Sequence, residues 1–369
     1  MTSILRFTMA LATAALLSGC AFIPVTGLDD SGASVTRAGP DPRAERLPSL
    51  ETRHFLLSEQ DQQLVGETQV LFTRYENTFA ALAREYNLGY EELRHANPGV
   101  DHWLPGEGTP VFLPTQSIIP DVPREGIVLN LPSMRLLYFT QQDADETEKR
   151  SMVTSYPVGI GREGWATPTG AATVTQKARD PVWYPPASVR AEHAELGDPL
   201  PSVVPPGPDN PLGHFAMALS MPGYLIHGTN KPSGVGMRVS HGCIRLYPED
   251  IEALFERVPS GTPVTIIDQP VLVGWHNGDL YLEVHQPLAE DERDLLVEAE
   301  RLLAAALEPS QGTGVEINAA AVARIVAEKR GIPFPVLHFD STPEAFLAGS
   351  RVVENTAPIP EPAATASTE

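Results

Sequence analysis

The chain has 369 residues, of which 42% are hydrophobic and 7% aromatic, with 36 prolines against 29 glycines. That length predicts two or three modules, and that balance favours β-rich modules with stiff connectors over a helical bundle. A formal charge of −21 repels nucleic acid and anionic lipid headgroups, which argues against a nucleic-acid binder.

Residues 1–20 read MTSILRFTMALATAALLSGC. One basic residue, Arg6, precedes an apolar run over residues 7–17, too short to span a bilayer as a helix and suited to the core of a signal peptide. Leu17-Ser18-Gly19-Cys20 resembles the bacterial lipobox, in which the cysteine thiol is acylated and becomes the new N-terminus. Residues 1–20 are therefore expected to be a lipoprotein signal peptide with Cys20 as the lipidated residue; plain secretion with cleavage near Ala14 or Ala21 is the alternative. Ala21 and Phe22 follow, with no aspartate to suggest inner-membrane retention. The expected location is the periplasm or cell envelope, lipid-anchored, and in a diderm cell at the outer membrane.

Residues 21–48, rich in Pro, Gly, Asp and Ser, read as a flexible tether. Residues 49–117 form a small module. Asn77 is placed to cap a helix with Phe79, Leu82, Ala83 and Tyr86 on one face. A second helix over 90–96 stops at Asn97-Pro98-Gly99. Strands near 70–73 and 109–113 complete a strand–helix–helix–strand order. The segment ENTFAALAREYNLGYEELRHANPGVDHWLPGEGTPVFLPT resembles a LysM module, a family that binds the glycan of peptidoglycan or chitin. It has Glu76-Asn77-Thr78 where that family usually has Gly-Asp-Thr.

Residues 121–268 are strand-rich. Ile127, Leu129 and Leu131 alternate, as do Leu136 and Tyr138. The polar stretch 141–150 reads as an exposed loop. Further strands are expected at 152–158, 172–176, 216–219, 224–227 and 264–267, with one helix over 248–257 whose first turn holds Pro248. Residues 269–290 read as a β-hairpin turning at Asn277-Gly278, a type I′ signal. Residues 291–350 read as a helical extension. Leu295, Leu296, Ala299, Leu302, Leu303 and Ala306 form one apolar face; Ala321, Val322, Ile325 and Val326 form another. The composition of 351–369 predicts a disordered tail.

The chemistry sits in LIHGTNKPSGVGMRVSHGCIRL, residues 225–246. His227 ends one strand-like piece, and Cys243 opens the next after a glycine-rich loop. A thiol attacks a carbonyl as thiolate, and a neighbouring imidazole can take its proton and hold the thiolate as an ion pair. If Cys20 is lipidated, Cys243 is the one free thiol in an oxidising compartment, a liability without a use. The Gly228 carbonyl can set the imidazole tautomer. Gly242 can form the sharp turn that exposes Cys243, with the N–H groups of Gly242 and Cys243 aimed at an oxyanion. Arg245, two residues on, can bind a substrate carboxylate bidentately. His241 reads as a loop residue or thiolate modulator rather than the base. A metal site built from His227, His241 and Cys243 lacks a fourth ligand at usual spacing, so neither metal nor cofactor is expected. Trp183 and Tyr184 can line a cleft or simply pack.

His227-Gly228-Thr229, Gly236 and Ser240-His241-Gly242-Cys243-Ile244-Arg245 resemble the signature of the YkuD-type L,D-transpeptidase domain. IIPDVPREGIVLNL, SYPVGIGREGWATPTG, VVPPGPDNPLGHFAM and LYLEVHQPL resemble its ErfK/YbiS-like branch. The likeness covers roughly residues 65–290. It implies a mainly β, β-sandwich-like catalytic domain. It also implies Cys243 as nucleophile, His227 as base then acid, Gly228 as its orienting carbonyl, and Ser240, His241 and Arg245 near substrate. The implied donor is a peptidoglycan tetrapeptide stem that loses its terminal D-Ala. The implied acceptor is a stem amine, giving a 3→3 crosslink, or the lysine of a wall-anchored lipoprotein. Carbapenems thioacylate this family. Water as acceptor would make the chain a carboxypeptidase or endopeptidase, and an inactive thiol would leave a wall-binding tether.

Overall fold

The computed structural model describes residues 40–358, apart from 43, 60, 144–148, 309–315 and 338–341. The signal peptide, Cys20 and most of the tether therefore lie outside the described residues.

Gln69–Phe72 pairs antiparallel with Pro110–Leu113, and helices Phe79–Glu85 and Tyr90–Ala96 lie between them in sequence. Leu71, Phe79, Leu82, Leu93, Val111 and Leu113 make the apolar centre. The first helix is capped by Thr78, not Asn77: the Thr78 hydroxyl accepts the Ala81 N–H at 3.3 Å. Asn77 is buried one residue earlier, where its side-chain oxygen accepts the Arg74 N–H at 2.7 Å. Both residue types cap well, so the exact turn of the chain decides which one reaches the free amide.

A third strand joins this sheet from the far end of the chain. Arg351–Val352 runs parallel to Gln69–Val70, Val353 and Ala357 enter the apolar centre, and the Tyr86 hydroxyl donates to the Glu354 carbonyl at 2.8 Å. The tail expected to be disordered from 351 is thus ordered to 358; residues 359–369 lie outside the described residues. Composition averages over the segment, whereas an open sheet edge offers unpaired N–H and C=O groups to any extended stretch beside it. The tether also ends in contact, since Leu47 N–H donates to Val352 O at 3.1 Å.

Among the described residues, nine strands form one mixed sheet. Its order is His54–Leu56, Lys149–Pro157, Arg135–Asp143, Gly126–Asn130, Pro263–Ile267, Gly170–Arg179, Phe215–Leu219, Leu225–His227, Ile244–Arg245. Two neighbour pairs are parallel, Gly126–Asn130 with Pro263–Ile267 and Leu225–His227 with Ile244–Arg245. Gly126–Asn130 is buried on both faces, as a central strand should be. Ile127 and Leu129 face the main core and Val128 a second one.

Gly159, just past Lys149–Pro157, exchanges both backbone hydrogen bonds with Arg245, at 2.8 and 2.9 Å. The last strand is thereby tied back towards the other end of the sheet. The catalytic domain is mainly β, as expected, but it is one curled sheet rather than two stacked ones. Its interior is filled by Ile127, Leu136, Val174, Met217, Ile226, Ile244 and Val264, and by Ile251, Leu254 and Phe255 of helix Pro248–Arg257.

The polar stretch 141–150 is not simply a loop, because its ends pair as strand from Gln141↔Ser151 to Asp143↔Lys149. His54–Leu56, inside the span read as the small module, is an edge strand of the catalytic sheet. The hairpin Val271–His276 and Asp279–Val284 turns at Asn277 and Gly278, with φ of 52° and 82°, as a type I′ turn requires. Helices Leu295–Leu307 and Ala319–Glu328 share its apolar cluster through Leu295, Ala299, Leu303, Ala321, Val322 and Ile325. Leu296, read as part of the apolar face, is exposed.

Candidate active site

The pairing of Leu225–His227 with Ile244–Arg245 places Ile226 opposite Ile244 and His227 opposite Arg245. Cys243 is the residue just before the second strand. The intervening loop carries the turn Pro232–Gly234 and the strand Arg238–Ser240, which lies parallel to Ile160–Gly161.

His227 is 4% exposed, and its Nδ1 lies 2.6 Å from the Gly228 carbonyl. A carbonyl only accepts, so the neutral ring carries its proton on Nδ1 and its lone pair on Nε2. A Cβ on Gly228 would meet Ile251 Cγ2 at 3.0 Å, so a bare glycine keeps that carbonyl in place. Burial, then the Arg245 charge, lower the His227 pKa to about 3, against the pull of the Gly228 carbonyl. Burial pushes the half-buried Cys243 thiol up, opposed by a backbone hydrogen bond from Leu225 and by the Arg245 charge. The thiol donates to the Gly223 carbonyl at 3.7 Å.

Burial disfavours the charged form of each group, which weighs against a resting thiolate–imidazolium pair of the kind expected from the residue types.

Ser240, Gly242 and Thr167 shape the nucleophile's turn. The Ser240 hydroxyl donates to the Cys243 carbonyl at 2.6 Å and accepts the Gly242 N–H at 3.2 Å. Thr167 Oγ1 donates to the Gly242 carbonyl at 2.8 Å. Gly242 has φ of 102°, and a Cβ there would lie 2.9 Å from the Tyr224 ring. The Ser240 hydroxyl is engaged within the turn, where it positions the nucleophile. The Gly242 N–H is committed to that hydroxyl rather than directed at an oxyanion.

Arg245 exchanges backbone hydrogen bonds with Gly159, and its side chain is half-buried, with Nε enclosed and without a partner. Its charge bears on both His227 and Cys243, an electrostatic part in addition to the carboxylate contact expected of it. His241 Nε2 lies 2.9 Å from Glu192 Oε2 and 3.3 Å from Arg162 Nη2. Its ring meets Trp165 edge-on at 4.8 Å, and Arg162 forms an ion pair with Glu192.

Sequence reading missed Arg162, Trp165, Thr167 and Glu192 as site residues. The first three lie in the quoted GIGREGWATPTG stretch. Glu192 lies on helix Ala187–Glu195, whose buried residue is Val189, so no apolar period announced it. Trp183 bridges to Val204, and Tyr184 is exposed. A cavity of about 710 Å³ is lined by Arg179, His214, Gly228, Thr229, Glu249 and Glu252, among others, and reaches the orienting glycine rather than Cys243.

The L,D-transpeptidase catalytic domain known as YkuD matches residues 124–266. The chain is 46% identical over 236 residues to the probable L,D-transpeptidase YcfS of Escherichia coli, covering 62% of this chain and 71% of that protein. It is 45% identical over 234 residues to the probable L,D-transpeptidase YbiS of Escherichia coli, covering 62% and 74%. It is 38% identical over 289 residues to the probable L,D-transpeptidase ErfK/SrfK of Escherichia coli, covering 76% and 89%. Identity at that level across most of each relative, with His227 and Cys243 brought to adjacent strands inside the matched segment, shows that the chain belongs to the L,D-transpeptidase family.

Proposed function

We propose that the protein is a peptidoglycan L,D-transpeptidase that works through Cys243 and His227. The observation that carries the residue assignment is the Nδ1 contact of His227 with the Gly228 carbonyl at 2.6 Å. It leaves Nε2 as a base on the strand beside the nucleophile.

In the first half-reaction, Sγ of Cys243 bonds to the carbonyl carbon of the stem's third residue while its proton passes to His227 Nε2. The C–N bond to the terminal D-Ala then breaks, and His227 returns that proton to the leaving amine. In the second half, an acceptor amine attacks the thioester and His227 takes its proton. The C–S bond breaks, and the thiolate is reprotonated. The Gly228 carbonyl steadies the transient imidazolium in the place where other enzymes use a carboxylate. The Cys243 N–H is assigned to the oxyanion. The acceptor is a stem amine or a lipoprotein lysine.

Intact-mass spectra of a form starting after Cys20, with and without a carbapenem, test the nucleophile. One drug mass added to the wild type and none to Cys243→Ala is the expected result; no adduct on either protein overturns the assignment. Purified muropeptides then report the acceptor. A 3→3 dimer supports transfer, and release of D-Ala without a dimer supports hydrolysis instead.

The chain is further proposed to be held in the cell envelope by lipid on Cys20, and to touch glycan through the LysM-like module. What supports this is the lipobox-like start and the strand–helix–helix–strand order of residues 69–113. Full-length protein is expected in the membrane fraction and Cys20→Ala in the soluble fraction, with the soluble form still sedimenting with purified peptidoglycan. Retention of Cys20→Ala in membranes overturns the anchor, and failure to sediment overturns the glycan contact.

A further inference from the structure

Beside the nucleophile's turn lies a charged cluster that the acyl-transfer chemistry does not use. Arg162 N–H donates to the Ser240 carbonyl at 3.1 Å, which fixes Arg162 against the residues that deliver Cys243. Its guanidinium pairs with Glu192 Oε1, and the other carboxylate oxygen, Oε2, lies 2.9 Å from His241 Nε2. One carboxylate thus receives two donors, a guanidinium and an imidazole, with the Trp165 ring as an apolar wall beside the imidazole. That set of groups binds any carboxylate placed there.

The carboxylate now present belongs to a lightly held element. Helix Ala187–Glu195 begins without a side-chain cap, and among its residues Val189 is buried while the others are half-buried or exposed. Tyr184 and Leu196, at its two ends, are 67% and 74% exposed. Elements with so few buried contacts open at low free-energy cost. The hydrogen bonds from Arg162 and then His241 hold the Glu192 carboxyl below the usual range, so it is the anion at neutral pH.

We propose that Arg162 and His241 form a carboxylate-binding subsite for the acyl donor, and that Glu192 occupies it until substrate displaces it. The inference rests on the transpeptidase reading, which supplies a donor with a free carboxylate next to the scissile bond on the terminal D-Ala, and a second one where the third residue is diaminopimelic acid. Arg245 is less suited to this task, since its Nε is enclosed and its charge bears on His227 and Cys243. Binding the donor would then release helix Ala187–Glu195 from the turn, so occupancy of the subsite and opening of that helix are one event.

Steady-state acylation with three synthetic tetrapeptide stems tests this: one with both carboxylates free, one amidated at the terminal D-Ala, and one amidated at the diamino acid. Wild type is expected to show a KM on the order of tenfold higher for one of the two amides, the size of one lost charge-assisted hydrogen-bond pair; that amide identifies the carboxylate. Arg162→Ala should erase the preference. Glu192→Gln should lower KM for the free acid several-fold and leave KM for the discriminated amide in place. Equal KM for all three stems in wild type overturns the subsite. A Glu192→Gln protein with lower kcat and unchanged KM overturns the competitor role and leaves a purely structural tie. No turnover of any stem by wild type, with no carbapenem adduct, is the distinct failure of the transpeptidase reading itself.

Discussion

Replacing His227 with glutamine is expected to slow acylation of Cys243 by about 10²–10⁴-fold, the range for loss of a positioned general base, without unfolding the protein. The ring is buried and neutral, its pKa lowered to about 3 by burial and then by Arg245, so an uncharged amide of similar reach leaves no charge stranded. The pH dependence carries the sharper test. In wild type, the imidazole is already unprotonated through the range where an exposed histidine titrates, and it stops accepting a proton only as pH falls towards about 3. The thiol is held above its ordinary range by burial. Acylation should therefore be flat across neutral pH, with no acid limb near the ordinary histidine value of about 6.5. In His227→Gln, the reaction must wait for thiolate, so its rate should rise about tenfold per pH unit up to the thiol pKa. A wild-type acid limb near about 6.5 would overturn the lowered imidazole pKa, and parallel profiles for the two proteins would overturn His227 as the base.

The effect of burial on these two groups separates what was legible in the sequence from what was not. Residue types and spacing named the thiol, the imidazole and the orienting carbonyl, because those follow from a short motif on two neighbouring strands. They could not give the charge state, which depends on how deeply the curled sheet buries both groups. Helices Tyr90–Ala96 and Pro248–Arg257 were bounded correctly because Asn97-Pro98-Gly99 and Pro248 mark their ends chemically. Glu192 and Arg162, by contrast, meet across thirty residues from a helix with one buried side chain, and no local pattern encodes such a contact. Arg351–Val352 was missed for a related reason: its pairing depends on an open edge nearly three hundred residues away.

Gly236, named from the sequence only as part of the signature, has a use that packing reveals. Its φ is 73°, and a Cβ there would fall 2.2 Å from Gly89 Cα and 2.4 Å from Tyr90 N. Both are backbone atoms that cannot rotate aside. The first turn of Tyr90–Ala96 donates Glu91 N–H to the Gly236 carbonyl at 3.1 Å, and Ile160 N–H meets the neighbouring Met237 carbonyl at 3.0 Å. Glu92 strengthens the junction by accepting the Gly89 N–H at 2.9 Å and pairing with Arg135. The small module therefore grips the loop between His227 and Cys243. Gly236→Ala is expected to force the two apart, costing roughly 2–4 kcal/mol from overpacking and from a left-handed backbone angle. The carbapenem acylation rate should fall more than about tenfold, because the displaced loop carries both catalytic ends with it. Gly261→Ala is the matched control. Its φ is 92° with nothing within 4 Å of an added Cβ, so it should lose about 1 kcal/mol and keep its acylation rate. Thermal unfolding and acylation measured on both variants decide the point. Equal losses in both would reduce Gly236 to a backbone-angle requirement. A loss of acylation confined to Gly236→Ala would make the helix beginning at Tyr90 part of the machinery that holds the nucleophile.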